Sequence, residues 1–317
     1  MPSPESAPAP PARTGRSRWL LRLLVSAALL GGILYAYGPA TILRLFASCP
    51  PLGLLAVAVA LAANLFLNAL AFLVLPWQRG PSLGRWLHLT AMAWAWGQFS
   101  PGRLGEFSMA AYLQREGQPL GEALAAVTAQ RILILLAVFV FAFGGLLHLG
   151  GAVGGMPAAT LACAVAGGLF GLLLFRLRAP ILRRLPARWA VTLRAAVLHL
   201  VHLAKRHPGR LAAAGALHLI RLLLLFASSW VVFRLLGAEV AYPTVIAVNA
   251  VGRLAAFVPI SFNGLGVREG AQVALFAAFA GVDGETVAAV ALVIHLVSYG
   301  LSGVALLCGP RHRETAS

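Results

Sequence analysis

The chain has 317 residues, 60% of them hydrophobic and only 11% charged, with a formal net charge of +16. A mean hydropathy of +0.85 excludes an ordinary water-soluble domain, and several apolar runs of about 20 residues point instead to an all-α, polytopic membrane protein. The basic excess does not indicate nucleic-acid binding, because Arg and Lys fall mostly in the gaps between apolar runs, where they set orientation and meet anionic lipid.

Residues 1–18, rich in Pro, Ala and Ser, cannot bury a core and are expected to form a disordered cytoplasmic tail. Arg13, Arg16, Arg18 and Arg22 precede or open an apolar run at 20–38. That run is long and has no clear small-x-small cleavage site, so it is expected to be an uncleaved anchor with its N-terminus inside. A second span is predicted at 51–75. Asn64 and Asn68 lie one turn apart on one face of it, suited to helix–helix hydrogen bonding or to a polar cavity wall.

Arg79 and Arg85 mark a return to the cytoplasm. Apolar residues 86–100 run into Pro101-Gly102 and a short helix at 104–116, and a long apolar helix follows at 121–149. A span at 157–175 leads back to the strongly basic segment 176–210, which must be cytoplasmic. Within that segment, 188–206 is expected to form an interfacial helix with Trp189, Leu193, Val197 and Leu200 on one side. A span at 211–236, an arm at 244–260, a second arm at 268–281 and a last span at 286–308 complete the order. Arg311-His312-Arg313 and the tail 311–317 are then cytoplasmic. Residues 19–310 thus form a single transmembrane domain with about six full spans. The three cysteines, Cys49, Cys163 and Cys308, are far apart and are expected to pack, not to bind metal.

Two breaks interrupt this pattern. Pro101, Gly102 and Gly105 form one; Pro259, Asn263, Gly264 and Gly266 form the other, and none of these residues favours a continuing helix. Each break is flanked by two apolar arms, the second of about 12 residues, too short to cross at 1.5 Å per residue. Charge-derived parity puts both ends of 86–120 on the cytoplasmic side and both ends of 243–284 outside. Each pair of arms is therefore expected to be a re-entrant hairpin, tolerated at depth only where protein or a wet cavity covers it.

A shift of 163 residues brings Phe99 onto Phe262, Glu106 onto Glu269, Gly121-Glu122 onto Gly284-Glu285 and Ala125-Ala126-Val127 onto Ala288-Ala289-Val290. The halves, about 51–149 and 211–308, then have opposite topology, the pattern of transporters that hold a site near the midplane between broken helices.

Charged residues at membrane depth are functional candidates. Arg131 and Arg221 lie about 15 Å into their spans at helical rise. Arg253 is similarly placed in the second hairpin, and Arg103 and Arg268 sit at the breaks. Against these five cations stand Glu106 and Glu269. A phosphate-bearing lipid headgroup would balance the excess, since Arg contacts phosphate bidentately and helix N-termini at the breaks would add donors. The structural alternative is that Arg103–Glu106 and Arg268–Glu269 are internal pairs and the other arginines snorkel. Glu122 and Glu285, each after a Gly, suit helix N-termini. His218, one turn before Arg221, either packs or joins the basic site; His295 and Tyr299 are expected to pack. No Ser-His-Asp order, His/Cys metal cluster or P-loop is present, so no cofactor, metal, enzymatic activity or ATP drive is expected.

Pro101-Gly-Arg-Leu-Gly-Glu-Phe107 and Asn263-Gly-Leu-Gly-Val-Arg-Glu-Gly270 resemble the two signature segments of the lysylphosphatidylglycerol synthase transmembrane (flippase-like) family, and the resemblance covers about 18–310. It implies a multi-pass bacterial inner-membrane protein that handles lipid, without the soluble aminoacyl-transfer domain of the bifunctional members. The expected function is movement of an anionic phospholipid or lipid-linked precursor between leaflets. Arg221, Arg253, Arg268, Arg131 and Arg103 would hold the headgroup, and Glu106 and Glu269 would pair with them or carry a coupling proton. The alternative is a non-transporting accessory protein that binds lipid or a partner enzyme of envelope synthesis.

Overall fold

The structure is a computed structural model, which describes residues 47–77, 80–99, 108–152, 187–255 and 266–308, with isolated positions between 31 and 44. Among the described residues the chain is all-helical, with no strand. The helices are α1 (Pro51–Leu73), α2 (Leu83–Phe99), α3 (Ser108–Arg115), α4 (Leu120–Ala152), α5 (Ala187–Arg206), α6 (Pro208–Leu235), α7 (Tyr242–Ala255), α8 (Val267–Ala280) and α9 (Gly284–Leu307). Four of them, α1, α4, α6 and α9, are apolar over 23 to 30 residues. At 1.5 Å per residue that is about 35–45 Å, enough to cross a hydrocarbon layer of about 30 Å. These correspond to four of the six spans expected from the sequence. The expected span at 157–175, and nearly all of the one at 20–38, lie outside the described residues, as do the tails 1–18 and 311–317.

The remaining helices of the core are short. α2 has 17 residues, α7 and α8 have 14 each, and α3 has 8. Over the described residues each is shorter than the four long apolar helices. Each short pair follows one long helix and precedes another, so the order long, short, short, long occurs twice: α1 to α4 and α6 to α9. The packing repeats as well. α4 lies against α7 and, in the other half, α9 lies against α2; α3 packs on α4 as α8 packs on α9. Ala125, Ala126 and Val127 of α4 are buried, and so are Ala288, Ala289 and Val290 of α9, the positions that the shift of 163 superimposes. Glu122 and Glu285 both sit in first turns, where a carboxylate opposes the positive end of the helix dipole.

The two first helices of the halves, α1 and α6, form the most extensive contact among the described helices and run antiparallel. Gly53, near the start of α1, meets Leu235 at the end of α6, while Asn64 meets Arg221 in the middle. Two apolar clusters flank this central pair. One joins Val57, Phe233, Val245, Phe276 and Val290; the other joins Phe72, Trp86, Met109, Leu113 and Val127. In the second cluster the Trp86 ring is completely buried, stacked on Phe72 with centroids 5.6 Å apart. Arg85 Nε donates to Glu116 Oε1 at 2.8 Å, tying the end of α3 back to the start of α2.

Basic helix α5 forms over Ala187–Arg206, and Leu200, on the expected apolar side, packs with Ala196 and Leu203 against α4 and α6; the side chains of Trp189 and Leu193 lie outside the described residues. Small residues allow this approach: Gly121 of α4 faces Ala195. Its outer side mixes Val191 and Leu198 with Arg194, Lys205 and Arg206.

Close backbone approach also fixes the crossing of α4 and α7. A Cβ added at Gly145 would stand 2.5 Å from Ala247 Cα, whereas one added at the neighbouring Gly144 would meet nothing within 4 Å. Gly145→Leu is therefore expected to lower the unfolding midpoint of the detergent-solubilised protein, by the equivalent of about 1–3 kcal/mol for overpacking. Gly144→Leu serves as the matched control and is expected to leave it nearly unchanged; equal melting curves for the two variants would contradict the crossing.

Candidate functional site

A cavity of about 180 Å³ lies between the two halves. Arg131 of α4, Arg221 of α6, Arg253 of α7 and Arg268 of α8 all line it, so four of the five arginines singled out in the sequence converge on one space. None of the described residues that line it is acidic. Arg103, Glu106, Pro101, Gly102, Gly105, Pro259, Asn263 and Gly264 lie outside the described residues, and so do the breaks apart from Gly266.

Arg221 sits midway along α6 and is held by side chains of α1. Its Nε donates to Asn64 Oδ1 at 3.0 Å and its Nη1 donates to Asn68 Oδ1 at 2.6 Å. The amide of Asn64 also returns a bond, from Nδ2 to the Arg221 carbonyl at 3.1 Å. The two asparagines thus do both things the spacing allowed: they bond helix to helix and they line the cavity.

Nη1 of Arg221 further donates to His218 Nδ1 at 3.2 Å. A guanidinium has no acceptor, so in this bond Nδ1 carries the lone pair and Nε2 the proton. Nε2 then donates to Gln130 Oε1, and Gln130 Nε2 donates to the Ala71 carbonyl at 2.6 Å. A buried relay therefore runs from α1 through α4 and α6 to the guanidinium. His218 is 1% exposed and Gln130 4%. Such a network rigidifies what it holds because every buried member is satisfied.

Arg268 is held differently. Its Nε and Nη2 both donate to Glu269 Oε1, at 3.0 and 2.6 Å. Nη2 also donates to His295 Nε2 at 2.8 Å, which leaves His295 Nδ1 to donate to the Ala291 carbonyl at 2.7 Å. The expected Arg268–Glu269 pair is thus present. The other carboxylate oxygen, Glu269 Oε2, accepts the Gly266 amide at 2.7 Å. Glu269, a buried side chain, thus takes the amide of the residue that precedes α8. Gly266 adopts φ +83°, a left-handed value that a residue with a side chain rarely takes, so the turn into α8 needs glycine here.

Sequence reasoning underestimated His295 and Tyr299. Both were expected to pack between helices; both line the cavity, and His295 bonds Arg268. Arg253 lies with its guanidinium carbon 5.9 Å from the Phe226 ring centroid. Among the described residues no group of three metal-ligating side chains occurs.

The model of one family, lysylphosphatidylglycerol synthase TM region, matches residues 19–305. The chain belongs to that family, and its setting is accordingly a membrane and its function lipid-related. No curated protein matches the chain.

Breaking a buried ion pair by removing one partner typically costs about 3–5 kcal/mol, because the other charge is left behind. Glu269→Ala removes both the partner of Arg268 and the cap of α8, and is expected to destabilise the solubilised protein by about that amount. Glu269→Gln keeps an oxygen for the Gly266 amide and should cost less. Thermal unfolding of the two variants beside wild type gives the order, and an Ala variant as stable as the Gln variant would contradict the capping role.

Proposed function

We propose that this chain carries an anionic phospholipid headgroup, or the phosphate of a lipid-linked precursor, between the leaflets of a bacterial inner membrane, with residues 1–18 and 311–317 on the cytoplasmic side. The supporting observation is the convergence of Arg131, Arg221, Arg253 and Arg268, from four different helices, on one cavity beside the middle of spanning helix α6. A guanidinium at that depth is costly, and a cavity that gathers four is suited to a ligand bearing phosphate. In a low-dielectric surround such a cluster disfavours a headgroup with net positive charge. Membership of the family supports the lipid as the substrate class.

The architecture supports transport as well. The two halves repeat the same order of long and short helices, and their first helices, α1 and α6, run antiparallel. That is the relation of an inverted repeat, in which α2–α3 and α7–α8 are re-entrant hairpins entering from opposite faces. The arms would bring the breaks to the cavity, and rocking of one half on the other would expose it alternately. The chain's role is conveyance, with no bond made or broken; Glu269 and Glu106 neutralise guanidinium charge when the headgroup is elsewhere, or carry a coupling proton.

Reconstituted vesicles test this. Purified protein is expected to accelerate transbilayer movement of a labelled anionic phospholipid over empty vesicles, and to move a headgroup of net positive charge more slowly. Loss of one charge-assisted contact is worth about 1.5–3 kcal/mol, so Arg221→Ala should slow movement by about 10- to 100-fold. Equal rates in wild-type, Arg221→Ala and empty vesicles across a panel of anionic lipids would reject transport and favour an accessory, lipid-binding role.

A further inference from the structure

A second, smaller cavity of about 40 Å³ lies next to the first. The two share Arg253, Arg268 and His295 as a common wall, together with Leu225 and Ile294. Their order along the helices is consistent. On α6 the larger cavity takes His218 and Arg221, and the smaller takes Ser229 and Phe233, farther toward the C-terminus. On α9, which runs the other way, the larger takes Ser298 and Tyr299 and the smaller takes Val287 and Val290. The cavities are therefore stacked along the helix axes, with the arginine pair and His295 at the level between them.

The smaller chamber has a polar lining of its own. Gln272 Nε2 of α8 donates to Asn249 Oδ1 of α7 at 2.8 Å, and Asn249 Nδ2 donates to the Val245 carbonyl at 2.9 Å. The crossing is tight: a Cβ at Gly252 would stand 3.0 Å from Gln272 Cγ. Beyond this layer the chamber ends on Phe233 and Phe276, both 1% exposed, with ring centroids 4.7 Å apart. By the usual measure of about 10–15 Å³ per water, the space holds roughly three waters.

The repeat supplies an internal comparison. Under the shift of 163 residues, Asn249, Gln272, Phe276 and Val290 correspond to Trp86, Met109, Leu113 and Val127. Those four residues are packed together in one apolar cluster, and Trp86 is wholly buried. In one half this layer is apolar, with Trp86 and Leu113 buried and Met109 and Val127 forming part of the main cavity's wall; in the other it opens onto a separate polar chamber. The architecture does not require a chamber there, and keeping two buried amides in place of Trp and Met costs burial of apolar surface.

We propose that the chamber lined by Ser229, Asn249 and Gln272 is a second station for the phosphate-bearing headgroup, reached from the main cavity past Arg253 and Arg268. The two guanidiniums face both spaces, so an anion passes between the stations without leaving their field. The amides and the hydroxyl offer donors and acceptors to the uncharged part of the headgroup and to its water. The Phe233–Phe276 pair closes the chamber at its far end in this conformation. This inference deepens the transport reading and rests on it for the identity of the ligand; the existence and charge selectivity of the passage are separately measurable.

The experiment uses thiol labelling of the full chain in vesicles. Cys49, Cys163 and Cys308 are replaced by Ala, and either Ser298→Cys, in the main cavity, or Ser229→Cys, in the smaller chamber, is added. Two methanethiosulfonates of similar size are compared, one bearing a sulfonate and one a trimethylammonium. A pocket of one charge sign raises the local concentration of its counter-ion by about tenfold or more, so the sulfonate is expected to react about tenfold faster at both positions. In Arg253→Ala, and separately in Arg268→Lys, that preference should fall several-fold at Ser229→Cys. The Lys variant keeps a cation beside Glu269, and thermal melting shows whether each variant is folded. Absence of reaction at Ser229→Cys while Ser298→Cys reacts fully would mean an isolated void and overturn the proposal. Equal reaction with both reagents at Ser229→Cys, or a preference indifferent to both arginine substitutions, would overturn it as well. Failure of lipid transport alone would leave these rates untouched, and loss of sulfonate preference at Ser298→Cys would count against the main site itself.

Discussion

A guanidinium cannot be left without acceptors far from water, and the centre of this fold is organised by that requirement. Arg221 lies on α6, but the acceptors that fix it, Asn64 and Asn68, lie on α1. The bond therefore joins the two halves at the helix pair where their contact is greatest. Antiparallel packing of two largely apolar helices would leave rotation and register weakly specified, since Leu and Ala faces slide past one another at small cost. Two asparagines spaced by one turn, both directed at one arginine, specify both. The His218–Gln130–Ala71 relay then fixes the guanidinium against α4. The site and the domain contact are consequently the same set of bonds.

The two best-defined arginines differ in what holds them, and the difference bears on function. The amide oxygens and imidazole around Arg221 orient its guanidinium. Arg268 meets a carboxylate directly, and that carboxylate also accepts the Gly266 amide just ahead of α8. Under the transport proposal, a phosphate that reaches Arg268 competes with Glu269 for its guanidinium. Glu269 is thus suited to setting how tightly a headgroup is held at the arginine pair.

Much of the fold is legible in the sequence because the bilayer imposes length. Runs at 51–75, 121–149, 211–236 and 286–308 have the extent that a hydrocarbon layer demands, and they are α1, α4, α6 and α9. Breakers and short arms likewise mark α2, α3, α7 and α8. Arginines at depth are legible for the same reason: the cost of a buried charge makes each one conspicuous. Neutral polar residues are less so. Asn249, Gln272, Gln130 and Ser229 carry no such penalty, and nothing in their spacing distinguishes a chamber lining from a helix–helix bond. Only the crossing at Gly252 brings Asn249 and Gln272 together. The sequence alone makes His295 a packing residue because its partner, Arg268, is 27 positions away and reaches it only once α8 has packed on α9.

The repeat sharpens what the asymmetry means. If duplication produced the two halves, equivalent layers began alike, and each later difference reports a separate demand on that half. At the arginine level, Arg253 corresponds to Thr90 and His295 to Ile132; at the next layer, Asn249 and Gln272 correspond to Trp86 and Met109. Most of the polar side chains of these layers belong to the second half, while the first half contributes Thr90, Gln130 and Arg131, a packed aromatic floor and the asparagines that steady Arg221. A carrier that rocks symmetrically between two faces does not need symmetric lining. It needs one half that holds the ligand throughout and another that presents a rigid surface to move against. The distribution of Trp86, Phe72 and Met109 on one side and Arg253, Arg268 and Gln272 on the other fits that division. It gives the second half three of the four cavity arginines, Arg221, Arg253 and Arg268, while the first half keeps Arg131 beside the surface that guides them.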